Sequence, residues 1–441
     1  MRAQLIHLAD VHLGYDQYGS KVRYDDFARA FMGIVDDAIG RKVDAVLIAG
    51  DLFNKRAIDA RTLAQAYEYL QKLKEHDIPV VAIEGNHDRS YYRDGMSWLK
   101  FLAWQKLLYL LNPIMRDGEP SLAPWNPNSL VGASIDLLGG RLRIYGLPWF
   151  GASTTRVVES FASVLQRERA KEEQQGVEYR VLMMHTGIEG IVPQLHGLPT
   201  RAQLEPLHGL VDYLALGHVH KPYAMDGWIY NPGSTETCSA EEATWEDRGY
   251  YHVEIDTQGV AENADAGESR KHSAHHLVNQ RRPFLRFPFR VDGLTEPEAL
   301  VRHFEEFCRR QAQEMKSNGL EPVVEVFLNG VLEFDAGSLD RPRLEEIIRS
   351  HFRPLIARLH NLTRDVDFDP DDEGLDGRDR NAWHQLEHKF FQDILSRDAR
   401  YAPAADDWAR LLSEVKQSAL QGEDPAVIAR RLREERARLL I

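Results

Sequence analysis

Seven side chains of metal-ligand type stand where short apolar runs end: Asp10, His12, Asp51, Asn86, His185, His218 and His220. LIHLAD leads into Asp10 and His12, AVLIAG into Asp51, VVAIEG into Asn86-His87-Asp88, VLMM into His185, and DYLALG into His218 and His220. Carboxylate, imidazole and amide oxygen suit divalent manganese, iron or zinc. No thiol belongs to the set, which disfavours a structural zinc site. Carboxylates and imidazoles crowded beside apolar strands are costly unless a partner compensates them, and a pair of cations would do so. Two cations about 3.5–4 Å apart ready a water for in-line attack on phosphorus and neutralise charge on the phosphoryl oxygens. The chemistry expected is therefore two-metal hydrolysis of a phosphate ester. The motifs differ in specificity. Asp-x-His and Gly50-Asp51 taken alone are ordinary turns. Gly85-Asn86-His87-Asp88 and Gly217-His218-Val219-His220 are far more specific, the second because alternate residues of an extended segment project the same way.

Strands must carry these residues to one edge. Val-, Ile- and Leu-rich runs at 4–9, 44–49, 79–84, 142–147, 180–184 and 212–216 have the length and composition of buried strands. Between them lie amphipathic stretches: 24–39 with Phe27, Phe31, Ile34 and Val35 on one face, and 61–74 with Leu63, Ala66, Tyr67 and Leu70. The alternation predicts a layered α/β domain with a central sheet. In such sheets, sites gather outside the carboxyl ends of the strands, where each motif falls.

A chain of 441 residues is too long for one ordinary core. From 256 to 282 it turns polar and loses its period, which marks a boundary. Strand-like runs at 284–291 and 323–328 and helical runs at 297–315 and 343–351 predict a small α+β domain. An acidic stretch, Asp365, Asp367, Asp369, Asp371, Asp372 and Glu373, then reads as a solvated linker. The remainder is helical, with Trp383, Leu386, Phe390, Ile394 and Leu395 on one face and Trp408, Leu411, Leu412 and Val415 on another. Three domains are expected, 1–260, 281–364 and 379–441.

Hydrophobic content of 43% and charged content of 28% are ordinary for a soluble protein. No segment approaches the ~18 uninterrupted apolar residues of a membrane span, and the opening residues read as a strand, not a leader. Two cysteines, Cys238 and Cys308, make no disulfide framework, which favours a reducing, cytoplasmic setting. The net charge of −14 argues against a general polyanion binder, though not against an enzyme that meets phosphate through metal ions. Lys55, Arg56, Arg89 and Arg93 could steer a phosphate backbone or simply form a solvated face. His272, His275 and His276 read as exposed linker histidines, with a third metal site as the alternative. His7 reads as a packed strand residue, and 231–234 as a turn bordering the last histidine motif.

In this order the motifs resemble those of the calcineurin-like metallophosphoesterases: D-x-H, G-D, G-N-H-D, H and G-H-x-H, across roughly residues 4–235. LIHLADVHLG, GDLF at 50–53 and IPVVAIEGNHD narrow the resemblance to SbcD-type (meiotic-recombination-eleven-like) nucleases of double-strand-break repair. It implies a metallophosphoesterase sandwich core, a DNA-facing α+β cap and a C-terminal helical tail. One metal would sit on Asp10, His12, Asp51 and His220, and the other on Asp51, Asn86, His185 and His218. Manganese would be the ion. His87 would contact the scissile phosphate and help protonate the leaving oxygen, and Asp88 would orient His87. The implied activity is exonuclease on duplex ends and endonuclease on single strands or hairpins. The implied partners are DNA, a second copy of the chain, and an SbcC-type ABC ATPase whose coiled coil the tail would bind. Aromatic and Leu residues of 98–111 would suit the dimer contact, or the core. A self-packed helical hairpin is the alternative reading of the tail. One departure stands out: many relatives carry a histidine where this chain has Asn54, which can donate a hydrogen bond but carries no charge. A small-substrate phosphodiesterase or phosphatase on the same core, and a non-catalytic DNA-bridging scaffold, are the competing readings.

Overall fold

The computed structural model describes the chain except residues 92–94, 246, 260–270, 316–317, 366–379, 397–400, 421–422, 424 and 440–441. Arg93 and the expected acidic linker beyond Asp365 lie outside the described residues. The chain divides into two compact units. The first comprises Met1–Arg290, Leu300–Leu328 and Asp340–Leu362; the second comprises Val291–Ala299, Asn329–Leu339 and Thr363–Ile441.

The first unit contains two six-stranded sheets. One runs in the order His272–Val278, Gly249–Asp256, Arg2–Leu8, Ala45–Ile48, Val80–Ala82, Tyr109–Leu110. The other runs Tyr223–Met225, Ile229–Asn231, Tyr213–Gly217, Tyr179–His185, Leu142–Leu147, Ser134–Leu137. Strands in the middle of each sheet pair in parallel, so their carboxyl ends share an edge. Strand alternation builds the layers. Leu5, Leu47, Val81, Ile144, Val181 and Tyr213 meet between the two sheets. Their neighbours Ile6, Leu8, Val46 and Ile48 face away, onto Phe31, Ile34, Leu70 and Leu73 of the helices Lys21–Arg41 and Ala60–Glu75. On the far side Leu182, Met184, Leu214 and Leu216 pack on Phe161 and Leu165 of the helix Thr154–Gln174. Truncating Leu47, which is fully buried, would cost about 2–5 kcal/mol.

The helix caps follow the sequence. Ser20 accepts from the Arg23 amide, and Asp59 from that of Thr62, before the two helices on the first sheet. His7 lies in the inter-sheet layer, as expected of a packed residue. Its Nε2 donates to the Leu216 carbonyl at 2.9 Å and its Nδ1 meets the Tyr213 hydroxyl at 2.9 Å.

Every strand anticipated in the core is present, and the strands form two packed sheets, the layered sandwich core that the resemblance implied. The polar segment after 256 holds an edge strand, His272–Val278, paired antiparallel with Gly249–Asp256. This corrects the reading of its histidines as exposed linker residues. His272 is buried against Tyr230, and His276 Nε2–H donates to the Pro232 carbonyl at 3.0 Å; of the three, His275 alone stays open. A three-stranded sheet, Phe284–Arg290, Val323–Leu332 and Ile356–Asp365, follows, with helices Pro297–Glu314 and Arg341–Phe352. Its third strand was not legible in the sequence.

The second unit includes the helices Arg380–Ser396, Ala405–Leu420 and Pro425–Leu439. Trp408, Ala409 and Leu411 are buried there, whereas Phe390 and Ile394 remain about half exposed. No helix among the described residues is long and apolar enough to cross a membrane.

Candidate metal centre

The carboxyl ends of the parallel strands bring all seven sequence-derived residues together. The donor atoms of Asp51, His185 and His218 lie within 4.8 Å of one another, as do those of His12, Asp51 and His87. His12 and His220 face each other with their Nε2 atoms 3.1 Å apart. Asp10 reaches across to accept from the His218 amide at 2.8 Å. Asn86 Oδ1 lies 3.2 Å from His185 Nε2 and 3.0 Å from His218 Nδ1.

The backbone is bent to achieve this. Asp10, His12 and Asp51 each have φ of 52°, and His218 has φ of 96°. Such left-handed conformations cost of order 1–3 kcal/mol each in non-glycine residues and gather at functional sites. Glycine supplies the room beside them. At Gly85 a β-carbon would lie 2.0 Å from Asp51 Oδ1; at Gly50, with φ of +94°, it would lie 2.2 Å from His185 Nδ1.

Hydrogen bonds fix the imidazole tautomers. A carbonyl only accepts, so His185 Nδ1–H donates to Ala49 at 2.8 Å and turns Nε2 toward Asp51 Oδ2 at 3.3 Å. His220 Nδ1 lies 2.6 Å from Glu242 Oε1. His87 Nδ1–H donates to the Asn54 carbonyl at 2.6 Å. That contact comes from the backbone, so it does not depend on which side chain stands at 54.

The expectation that Asp88 orients His87 is corrected. The Asp88 carboxylate accepts from three backbone amides, Leu52 at 3.3 Å, Phe53 at 3.0 Å and Gly85 at 3.1 Å. It ties the turn after Gly50 to the turn after Gly85, and so holds the frame and not the imidazole. A thiol outside the seven stands beside them: Cys238 Sγ lies within 4.8 Å of ring nitrogens of both His12 and His220.

Burial dominates the electrostatics. It pushes Asp10 up to about 6, against the pull of His185 and His220. It drives His12 down to about 3, with His220 adding to the effect, and His218 down to about 4, helped by His185. For Asp51 burial is outweighed by the adjacent His185, and the carboxyl is held below its usual range. His185 is raised to about 9, because Asp51 outweighs its burial. Two buried atoms of the centre, Asp10 Oδ1 and His12 Nδ1, have no hydrogen-bond partner among the described residues. Orphaned polar atoms inside a protein are costly unless something charged occupies the space.

Of the flanking basic groups, Arg89 lies over Trp149 at 5.6 Å and Arg56 over Tyr91 at 5.9 Å. The turn at 231–234 braces the last motif: Asn231 Nδ2 donates to the carbonyls of Val219 at 2.6 Å and Lys221 at 2.9 Å. Within 98–111, Leu99 and Leu102 enter the core from the short helix Trp98–Trp104, while Trp104 is 62% exposed. Glu242 was missed. Its sequence signal is only a carboxylate 22 residues beyond His220 in a polar loop.

Residues 3–222 match the model of the calcineurin-like phosphoesterases. The chain is 33% identical over 246 residues to the DNA double-strand break repair protein Mre11 of Archaeoglobus fulgidus, covering 54% of this chain and 51% of that protein. It is 31% identical over 255 residues to Mre11 of Aeropyrum pernix, covering 54% and 55%. With Mre11 of Methanosarcina acetivorans it shares 28% identity over 321 residues, 69% of this chain and 44% of that one. The chain thus spans about half the length of the curated relatives it matches. By its motifs, its two-sheet sandwich and residues 3–222, the chain belongs to the calcineurin-like phosphoesterase family.

Proposed function

We propose that the chain is a metal-dependent phosphodiester hydrolase that cleaves DNA in double-strand-break repair. The observation that supports this most is the convergence of five strand-end segments on a buried cluster of carboxylate, imidazole and amide donors, two of whose polar atoms have no partner. The relatives supply the substrate class, since they are DNA double-strand break repair proteins.

The donor set fits two divalent cations. Asp10, His12, Asp51 and His220 would hold one, and Asp51, Asn86, His185 and His218 the other, with manganese as the ion the family resemblance implies. Bound there, divalent ions supply Lewis-acid neutralisation of the phosphoryl group and a water-derived nucleophile at neutral pH. The remaining work falls to this chain's own residues. His87, with Nδ1–H engaged by the Asn54 carbonyl, would as an imidazolium offer Nε2–H to the scissile phosphate and pass that proton to the leaving oxygen, ending as the neutral Nδ1–H tautomer. Asp88 keeps the two turns in register beneath it. Ala49 and Glu242 hold His185 and His220 in tautomers that present Nε2.

In the same proposal, 1–260 is the nuclease domain and 281–364 a DNA-facing cap. Residues 379–441 are the helices that bind the coiled coil of an SbcC-type ABC ATPase, and two copies form a cytoplasmic homodimer. Exonuclease action on duplex ends and endonuclease action on hairpins or single strands belong to it too. The test is incubation with Mn²⁺ and an end-labelled duplex, a hairpin and bis-p-nitrophenyl phosphate. DNA cleavage abolished by His87→Ala supports the proposal. Hydrolysis of the small ester alone would redirect it to a small-substrate phosphodiesterase. Tight DNA binding with no turnover would make the chain a scaffold. Co-purification with a large coiled-coil ATPase tests the partner.

A further inference from the structure

The histidines of the centre are not supported alike. His185 and His87 each place Nδ1 on a neutral backbone carbonyl, of Ala49 and Asn54. His12 Nδ1 has no hydrogen-bond partner. His220 alone of these four places Nδ1 on a carboxylate, 2.6 Å from Glu242 Oε1. Glu242 is itself held from several sides. Its Oε2 accepts from the Cys238 amide at 2.9 Å and pairs with Arg248 Nη1 at 3.0 Å. Arg248, fully buried, also donates from Nη2 to the Glu242 carbonyl at 2.9 Å and bonds Ser234. The carboxylate therefore has a fixed position and a compensating charge, which a buried carboxylate requires.

We propose that Glu242 is the positioning residue of His220, fixing its ring in the orientation and tautomer that present Nε2 and so making the His12–His220 half the tighter of the two cation sites. This rests on the metal-binding reading given above. A carboxylate behind an imidazole ligand raises its basicity and locks its rotation, and removing such a partner typically lowers metal affinity about 10–100-fold. A backbone carbonyl fixes the tautomer but brings no charge. The two cation sites should therefore differ in affinity, and the difference should trace to one side chain that lies outside every motif of the chain.

The test is titration of the full-length chain with Mn²⁺, followed by calorimetry and electron paramagnetic resonance. The wild type is expected to bind two ions, the second giving the spin-coupled signal of a pair. Glu242→Gln is expected to weaken one site by about 10–100-fold and leave the other unchanged, so that an uncoupled six-line signal persists. Glu242→Asp, which keeps the charge, should restore part of the affinity. A second measurement needs no Glu242 variant. In ¹⁵N-histidine-labelled wild type loaded with Zn²⁺, one ring Nδ1–H resonance should appear far downfield and vanish in His220→Asn. Absence of that resonance, or two unchanged affinities in Glu242→Gln, overturns the role of Glu242 while the metal centre stands. A wild type that binds no Mn²⁺ overturns the metal centre and this inference together.

Discussion

The two halves of the centre reach similar donor sets by opposite means. On the Asn86–His185–His218 side, the polar atoms satisfy one another: Asn86 Oδ1 serves two imidazoles, and His185 spans from Ala49 to Asp51. On the Asp10–His12–His220 side they do not. Two imidazole nitrogens face each other at 3.1 Å, and Asp10 Oδ1 and His12 Nδ1 are buried without partners. What stiffens this side comes from behind it, through Glu242, Arg248 and the segment 235–238. The first half is nearly complete as a protein structure. The second is a frustrated cluster whose cost a cation would offset. Good metal sites need not be self-consistent without metal, and the inconsistent half points most directly to what is bound.

Asp51 is shared by both halves, so Asp51→Asn should erase the contrast between them. Cleavage should fall by about 10³-fold or more, the equivalent of several kcal/mol of transition-state stabilisation, and calorimetry should find both Mn²⁺ sites lost. His87→Ala should lower the cleavage rate by about 10²–10⁴-fold while leaving both Mn²⁺ affinities intact; equal damage to the affinities would assign His87 to a ligand role instead.

The segment backing the frustrated half is pinned by a buried ion cluster. Asp26 pairs with Arg23 at 2.8 Å and Arg282 at 2.7 Å, and Arg23 donates to the Thr237 carbonyl at 3.1 Å. Asp26→Ala should cost about 3 kcal/mol, read by urea unfolding, because two buried guanidinium groups each lose a carboxylate partner, Arg23 keeping Glu236. Burial raises the Asp26 pKa, but Arg282 and Arg23 outweigh it and the net shift is downward. Its stabilisation is therefore full above the unfolded carboxyl pKa of about 4 and is lost as pH falls through the lower, folded value. The variant should show a shallower acid limb in stability against pH.

Mn²⁺ at about 100 times its dissociation constant should raise stability by about 2.7 kcal/mol per site. Hydrogen exchange should slow at the His218 amide, which rests on Asp10. Equal slowing around His185 would remove the contrast between the halves. The smallest effect is expected for Asn54→His. The backbone of residue 54 already orients His87, so the cleavage rate should move only through added phosphate contact. A large change would place the side chain in the chemistry.

The sequence by itself determined the donor types, their order and the strands that end at them. Apolar runs such as LIHL and AVLI can only be buried, and whatever follows a parallel strand emerges at the sheet's carboxyl edge. Periodicity also recovered the two helices on the first sheet and those at 297–314 and 341–352. The polar strand His272–Val278 escaped because an edge strand needs no apolar period, only a partner, and its partner is supplied by Gly249–Asp256. Which atom each donor's second bond reaches was decided by tertiary structure alone. Asp88 serves backbone amides, Asn54 acts through its carbonyl, Cys238 approaches the centre, and Glu242 comes to lie behind His220. Hydrogen bonds form at about 3 Å between groups far apart in the chain, so residue type and spacing can nominate a ligand but cannot say what stands behind it.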